Sequence, residues 1–299
     1  MGTSEVRLHA VASGVSAPDQ FDVDGFGGVH LVGDRRGDPN GRPVLFLHGG
    51  GQTRHSWGGA ARRIAAEGWL AVTVDSRGHG ESDWADGDYR LSSFAADVVA
   101  VAAALSQPPV LVGASLGGLT SILLEGELAP GTAAGVVLVD IIPDMEQAGA
   151  DRIQAFMSDK VDEGFASLDE VADAIAAYNP HRPRPDDLDG LRKNLRERDG
   201  RWFWHWDPDF VGGTADFPPA ELMDTDRLNA AVGAIEVPML LVRGRMSDLV
   251  SAESADAFLA RFPNIGFADV SGAGHMVAGD RNDVFTTSVL GFLDALPAE

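Results

Sequence analysis

The chain has 299 residues, 44% hydrophobic and 23% charged, enough for one large globular domain or a domain that carries a sizeable insertion. Its formal net charge of −22 repels polyanions, which argues against nucleic acid or an anionic membrane surface as a partner. With no cysteine, thiol catalysis, disulfides and thiolate metal sites are excluded.

The first residues, Met1–Gly14, lack a basic segment followed by a long apolar stretch. No run of about 18 apolar residues is present to span a bilayer. The expectation is a soluble, cytoplasmic protein; oligomeric state is not legible.

In chain order, Phe21–Asp24 and Val29–Asp34 flank Gly25, Gly27 and Gly28 and read as an antiparallel hairpin. Short apolar runs follow at Val44–Leu47, Leu70–Val74, Val110–Val112, Val136–Val139, Met239–Val242 and Ile265–Val270. Uninterrupted apolar runs indicate strands buried on both faces, and the helical patterns between them indicate crossover connections. The predicted fold class is therefore α/β, a mostly parallel twisted sheet with helices on both faces.

The spacing breaks between Val139 and Met239, where no convincing buried strand occurs over a length far beyond an ordinary connection. Helical patterns at Arg152–Met157 and Leu168–Tyr178 lead to the proline-rich stretch Asn179–Pro185 and the aromatic cluster Trp202–Trp206. Residues 143–233 read as an inserted, mainly helical cap on a core made of residues 1–142 and 234–299. Nine of the 23 basic residues fall between Arg152 and Arg201, and Arg192, Lys193, Arg196, Arg198 and Arg201 are expected on a helical stretch. Such residues ordinarily pair with Asp and Glu in solvent. The sharper alternative is that Arg182, Arg184 or this stretch holds a substrate carboxylate.

Chemistry concentrates at Gly113-Ala-Ser115-Leu-Gly117, which follows a predicted strand and precedes the helical pattern Leu116–Glu125. A strand–turn–helix junction exposes a serine hydroxyl, and flanking glycines let the two backbones approach. A serine hydroxyl is a poor nucleophile without a base, and the base needs a carboxylate to orient it. His275, in the glycine-rich loop Ser271–Met276 after the last strand, is the expected base. Asp248, in the loop after Met239–Val242, is the expected acid, because it fits the order Ser, acid, His and lies at the carboxyl end of the sheet. Asp140, at the end of Val136–Val139, is the competing carboxylate; otherwise it caps nearby backbone N–H groups. Oxyanion donors are expected from the backbone N–H of Gly50, in His48–Gln52, and of Leu116. His48 itself reads as a structural hydrogen-bonding residue. Trp204, His205 and Trp206 read either as cap core or as a wall for substrate. No nucleotide-binding glycine pattern and no H-E-x-x-H zinc motif occurs.

The blocks HGGGQTRHSW (48–57), DSRGHGESD (75–83), GASLGG (113–118), GRMSDLV (244–250) and GAGHM (272–276) resemble, in their order, the signature blocks of the α/β-hydrolase superfamily. The resemblance implies a triad of Ser115, Asp248 and His275, oxyanion donors Gly50 and Leu116, a structural loop at Asp75–Ser82, and neither metal nor organic cofactor. In outline the chain is similar to small bacterial carboxylesterases, lactonases, cofactor-free haloperoxidases, carbon–carbon-bond hydrolases and epoxide hydrolases. Epoxide hydrolases and haloalkane dehalogenases carry aspartate at the elbow, so the serine here disfavours both. The expected activity is serine hydrolysis of a small-molecule carboxylic ester or lactone. The alternatives are carbon–carbon-bond hydrolysis or haloperoxidase-like perhydrolysis on the same triad, and a ligand-binding receptor that keeps a hydrolase pocket.

Overall fold

The structure is a computed structural model that describes residues 17–180, 184, 187–212, 224–280 and 282–297. Its sheet is built from β1 (Asp19–Asp24), β2 (His30–Gly37), β3 (Pro43–Leu47), β4 (Leu70–Val74), β5 (Val110–Ala114), β6 (Gly135–Val139), β9 (Met239–Gly244) and β10 (Gly266–Val270). The strand order is β1-β2-β4-β3-β5-β6-β9-β10. β1 pairs antiparallel with β2 and β2 antiparallel with β4, while every pairing from β4 to β10 is parallel. The predicted strands and the hairpin thus fall where the apolar runs lie.

Alternation along each buried strand sends side chains to two cores. Leu45 and Leu47 of β3 face one cluster, which also holds Phe94 and Val98 of α2 (Leu91–Ala103) and Leu119 and Ile122 of α3 (Leu116–Leu123). Val44 and Phe46 face the other, with Ile64 of α1 (Gly58–Ala66) and Phe285, Val289 and Leu293 of the C-terminal helix Asn282–Ala295. Each fully buried Val, Leu, Ile or Phe contributes roughly 1.5–3 kcal/mol, so helices covering both faces are what make a central parallel sheet stable.

The segment between β6 and β9 carries α4 (Gln147–Ser158), α5 (Leu168–Tyr178), the hairpin of β7 (Leu195–Arg198) and β8 (Arg201–Trp204), and the short helix Pro208–Gly212. A separate apolar cluster of Met157, Phe165, Val171, Leu195, Trp204, Trp206 and Val211 holds it together. The helical stretch expected through Arg192–Arg201 is corrected: only Asp189–Asn194 is helical, as a 3-10 turn, and the rest is the β7–β8 hairpin. Asp199 and Gly200 both have positive φ, 52° and 74°, the conformation that joins two strands through a two-residue turn. The later helix Thr225–Ala234 packs away from this cluster, with Leu228, Ala231 and Val232 in the main core.

Candidate active site

β5 runs straight into Ser115, and α3 begins at the next residue. Ser115 has φ 48° and ψ −116°, a conformation that a residue with a side chain adopts only when its surroundings impose it. Two glycines show the imposition. A Cβ on Gly113 would lie 2.3 Å from the Gly117 oxygen, and one on Gly117 would lie 2.4 Å from the Leu47 oxygen. The Ser115 N–H donates to the Val139 oxygen at 3.3 Å, and its carbonyl accepts from Gly118 and Leu119 at 2.9 and 3.0 Å. The backbone is fully engaged, while the hydroxyl makes no hydrogen bond among the described residues.

Register places the next strands' ends beside this turn. Ala114 pairs with Val139, and Val139 with Val242, so Asp140 follows β6 at the level of Ser115. Asp140 is 0% exposed and also has positive φ, 52°. Its carboxylate accepts from His275 Nδ1 at 2.8 Å, from the Gly244 N–H at 2.8 Å and from Ser247 Oγ at 2.5 Å. A carboxylate accepts only, so Nδ1 of His275 is the donor of this bond.

The pairing expected between Asp248 and His275 is therefore corrected in favour of Asp140. Asp248 is 37% exposed and lies 3.0 Å from Arg152 of α4. The cause is the bend after β9, where the Ser247 N–H returns to the Gly244 oxygen at 3.0 Å. Ser247 Oγ faces Asp140 and accepts the Leu249 and Val250 N–H groups at 3.1 Å, and the next side chain turns toward the inserted segment. Chain order did not separate the two aspartates, since both lie between Ser115 and His275.

The glycine run after β3 forms a tight turn over the serine. The Gln52 N–H donates to the Gly49 oxygen at 3.1 Å, Gly51 has φ 73°, and a Cβ on Gly49 would sit 3.2 Å from Ser115 Cβ. The Gly49 N–H is taken by Gln52 Oε1 and the Gly51 N–H by His79 Nε2, both at 3.1 Å. Gly50 between them makes no hydrogen bond among the described residues, and the Leu116 N–H opens α3 without an intrahelical acceptor. The loop Asp75–Ser82 packs beneath. Buried Asp75 accepts the Arg54 N–H at 2.7 Å and forms a short contact with the Arg54 guanidinium.

Trp204, His205 and Trp206 are all buried. Trp204 stacks on Trp206 at 4.8 Å and meets the edge of Phe165 at 5.0 Å, which places it in the core of the inserted segment. Trp206 reaches further, since its Cζ3 would lie 3.3 Å from a Cβ on Gly51. Met157 and Phe210 border the same turn, the Met157 sulfur and the Phe210 Cε1 lying 3.5 and 3.4 Å from a Cβ on Gly50. Sequence reasoning missed both, and a lone Met at a helix end or a lone Phe gives no signal of its own. His205 directs both ring nitrogens to backbone, Nδ1 accepting the Gly80 N–H at 2.8 Å and Nε2 lying 3.3 Å from the Gly51 oxygen.

The candidate carboxylate-binding arginines have other partners. Arg184 pairs with Asp169 and Asp173, Arg192 with Asp189, and Arg201 donates to the Glu163 and Gly164 carbonyls. Arg182 lies outside the described residues.

Comparison with known proteins identifies the family. The profile of the Alpha/beta hydrolase family matches residues 44–287. An esterase of Mycobacterium tuberculosis, Rv0045c, is 34% identical over 260 residues, covering 84% of this chain and 82% of its own. A solved structure of that esterase, 30% identical, superposes with a TM-score of 0.72 over 95% of each chain. The 3-hydroxybutyrate-oligomer hydrolase of Cupriavidus necator is 29% identical over 250 residues, 80% of this chain and 84% of that one. The crystal structure of E-2-(acetamidomethylene)succinate hydrolase has a TM-score of 0.78 at 24% identity, over 93% of this chain and all of the other. The chain belongs to the alpha/beta hydrolase family.

Proposed function

We propose that the protein is a serine hydrolase that cleaves a small carboxylic ester or lactone, with Ser115 as nucleophile, His275 as base and Asp140 as the carboxylate that orients the base. The observation that carries this reading is the strained Ser115 turn at the level of the pair made by His275 with buried Asp140. Ser115 Oγ attacks the substrate carbonyl while His275 Nε2 takes its proton. Asp140, fixed by two further donors, stabilises the imidazolium without accepting the proton. The oxyanion receives the free N–H groups of Gly50 and Leu116. Collapse breaks the acyl–oxygen bond, and the imidazolium protonates the departing alkoxide. Water, deprotonated by the same Nε2, then attacks the acyl-enzyme, releasing the acid and restoring Ser115. In this reading the hydrogen bond between Ser115 Oγ and His275 Nε2 forms in the Michaelis complex.

Met157, Trp206 and Phe210 bring apolar surface to the turn, which suits an apolar acyl or alcohol group. The segment between β6 and the helix Thr225–Ala234 supplies all three and acts in this reading as the cap that selects substrate; it ends before residue 225 because that helix packs in the main core. The similarity to an esterase and to a hydrolase of 3-hydroxybutyrate oligomers supports ester chemistry over cleavage of a carbon–carbon bond. Turnover of p-nitrophenyl butyrate by the wild type and by Ser115→Ala is the test. A loss of about a thousandfold or more is expected. Equal rates in the two proteins would remove Ser115 from the mechanism.

A further inference from the structure

The turn that presents the Gly50 N–H is gripped by histidines from three separate parts of the chain, each on a different peptide unit. His48, directly after β3, places Nδ1 2.8 Å from the Gly49 oxygen. That oxygen and the Gly50 N–H belong to one planar trans unit and point in opposite directions, so a hold on the oxygen aims the N–H. His79, from the loop after β4, accepts the Gly51 N–H of the next unit. His205, from the inserted segment, meets the Gly51 oxygen of the unit after that.

Their partners fix each ring as a neutral tautomer. His48 Nε2 accepts the Ser76 N–H at 2.9 Å, so its Nδ1 is the donor. His79 Nε2 is an acceptor, and its Nδ1 donates to the Arg77 oxygen at 2.9 Å. His205 is reversed, because its Nδ1 accepts from Gly80 and its Nε2–H must face Gly51. Burial of all three favours the uncharged form that this pattern requires.

Beyond His205 the chain continues as a strap along the same loop. The Asp207 N–H donates to the Gly78 oxygen at 2.8 Å, and the Asp207 carboxylate accepts from the Tyr89 hydroxyl at 2.5 Å. Residues 205–207 are thereby docked on Gly78–Gly80, and His205 is the side chain that carries the docking across to Gly51. Both of its nitrogens are committed to backbone, which leaves it no polar atom for substrate.

We infer that His205 is a positioning residue, which couples docking of the inserted segment to the aim of the oxyanion donor at Gly50. The inference rests on the reading of Gly50 as that donor. His205→Phe keeps a ring of similar size and removes both bonds. On p-nitrophenyl butyrate it is expected to lower kcat by roughly 10–100-fold with KM within about threefold, because a misaimed donor weakens the transition state more than the ground state. A trifluoromethyl ketone, which binds serine as an oxyanion, should lose affinity by a similar factor. His205→Gln, whose amide can still donate to the Gly51 oxygen, should recover part of the loss. A raised KM at unchanged kcat would make His205 a substrate wall and overturn the inference, as would no change in either constant. Should H205F fail to fold, His205→Asn, too short to span Gly51 and Gly80 together, carries the same expectations. Amide exchange across Gly49–Gln52 gives a readout that needs no turnover: it should quicken at least about tenfold in the variant, and unchanged exchange overturns the inference. An inactive wild type would instead count against the ester-hydrolase reading alone.

Discussion

The rim of the sheet and the inserted segment hold the same site by different means. At the rim, strand register does the placing: Ala114, Val139 and Val242 are paired neighbours, so Ser115 and Asp140 emerge side by side as a consequence of backbone hydrogen bonds. In the inserted segment, side chains do it, through stacked Trp204 and Trp206 and through His205 reaching across to Gly51. Backbone placement tolerates almost no change in residue volume, whereas side-chain placement tolerates change in proportion to the bonds lost. The glycines of the rim and the exposed ion pairs of the insertion are the two extremes.

The sharpest way to break this comparison is at the two rim aspartates, Asp140 turned to His275 and Asp248 turned out to Arg152 of the inserted segment. Asp140→Asn should lower kcat/KM by about three to four orders of magnitude, because the amide can donate to Nδ1 and so favours the wrong tautomer of His275. Asp248→Asn removes only a partly exposed ion pair with Arg152, and its steady-state constants should stay within about twofold. Equal losses in both would place Asp248 in the site after all.

A smaller effect follows from the histidines that join the two regions. Burial lowers the pKa of His48 and His79 and brings His205 down to about 3. For His205 the carboxylate of Asp75 opposes the shift, while His48 and Arg196 add to it. As pH falls below about 6.5, the unfolded chain takes up protons on these rings and the folded protein does not. Stability is therefore complete above that pH and is lost progressively on acidification. Urea unfolding followed from pH 7 to pH 4 should show this loss, and H205Q should flatten the slope by about 1.4 kcal/mol per pH unit. Identical slopes in the two proteins would mean that the His205 ring charges within the fold.

The smallest effects sharpen the contrast in tolerance. Gly117→Ala forces a Cβ to 2.4 Å from backbone and should cost about 2–3 kcal/mol by the urea midpoint. Gly190→Ala, in the insertion, meets nothing within 4 Å and should stay within about 0.5 kcal/mol of wild type.

How far the sequence could be read divides along the same line. The strands were legible because a parallel sheet buried on both faces must be written in uninterrupted apolar residues, as in Val44–Leu47 and Val136–Val139. The elbow was legible because its sterics demand small residues at fixed spacing around Ser115. Which carboxylate meets His275 was not, since Asp140 and Asp248 both follow strands at one end of the sheet, and only the bend made by Ser247 decides which faces His275. In the insertion, Asp199-Gly200 was a legible hairpin signal that the density of arginines obscured. The direction of the His205 ring, by contrast, depends on contacts with Gly51 and Gly80, more than a hundred residues away in the chain.

The helix Thr225–Ala234 packs in the main core, where a Cβ on Gly126 would lie 2.1 Å from the Ala231 oxygen. It is therefore the crossover that any β6-to-β9 connection needs, and the material before it is a guest spliced into that crossover. Natural recombination, or a grafting experiment, can exchange the guest without reopening the connection that closes the sheet. In the proposed reading an exchanged segment could alter substrate range, but catalysis would survive only if the replacement still docked on Gly51 and Gly78–Gly80.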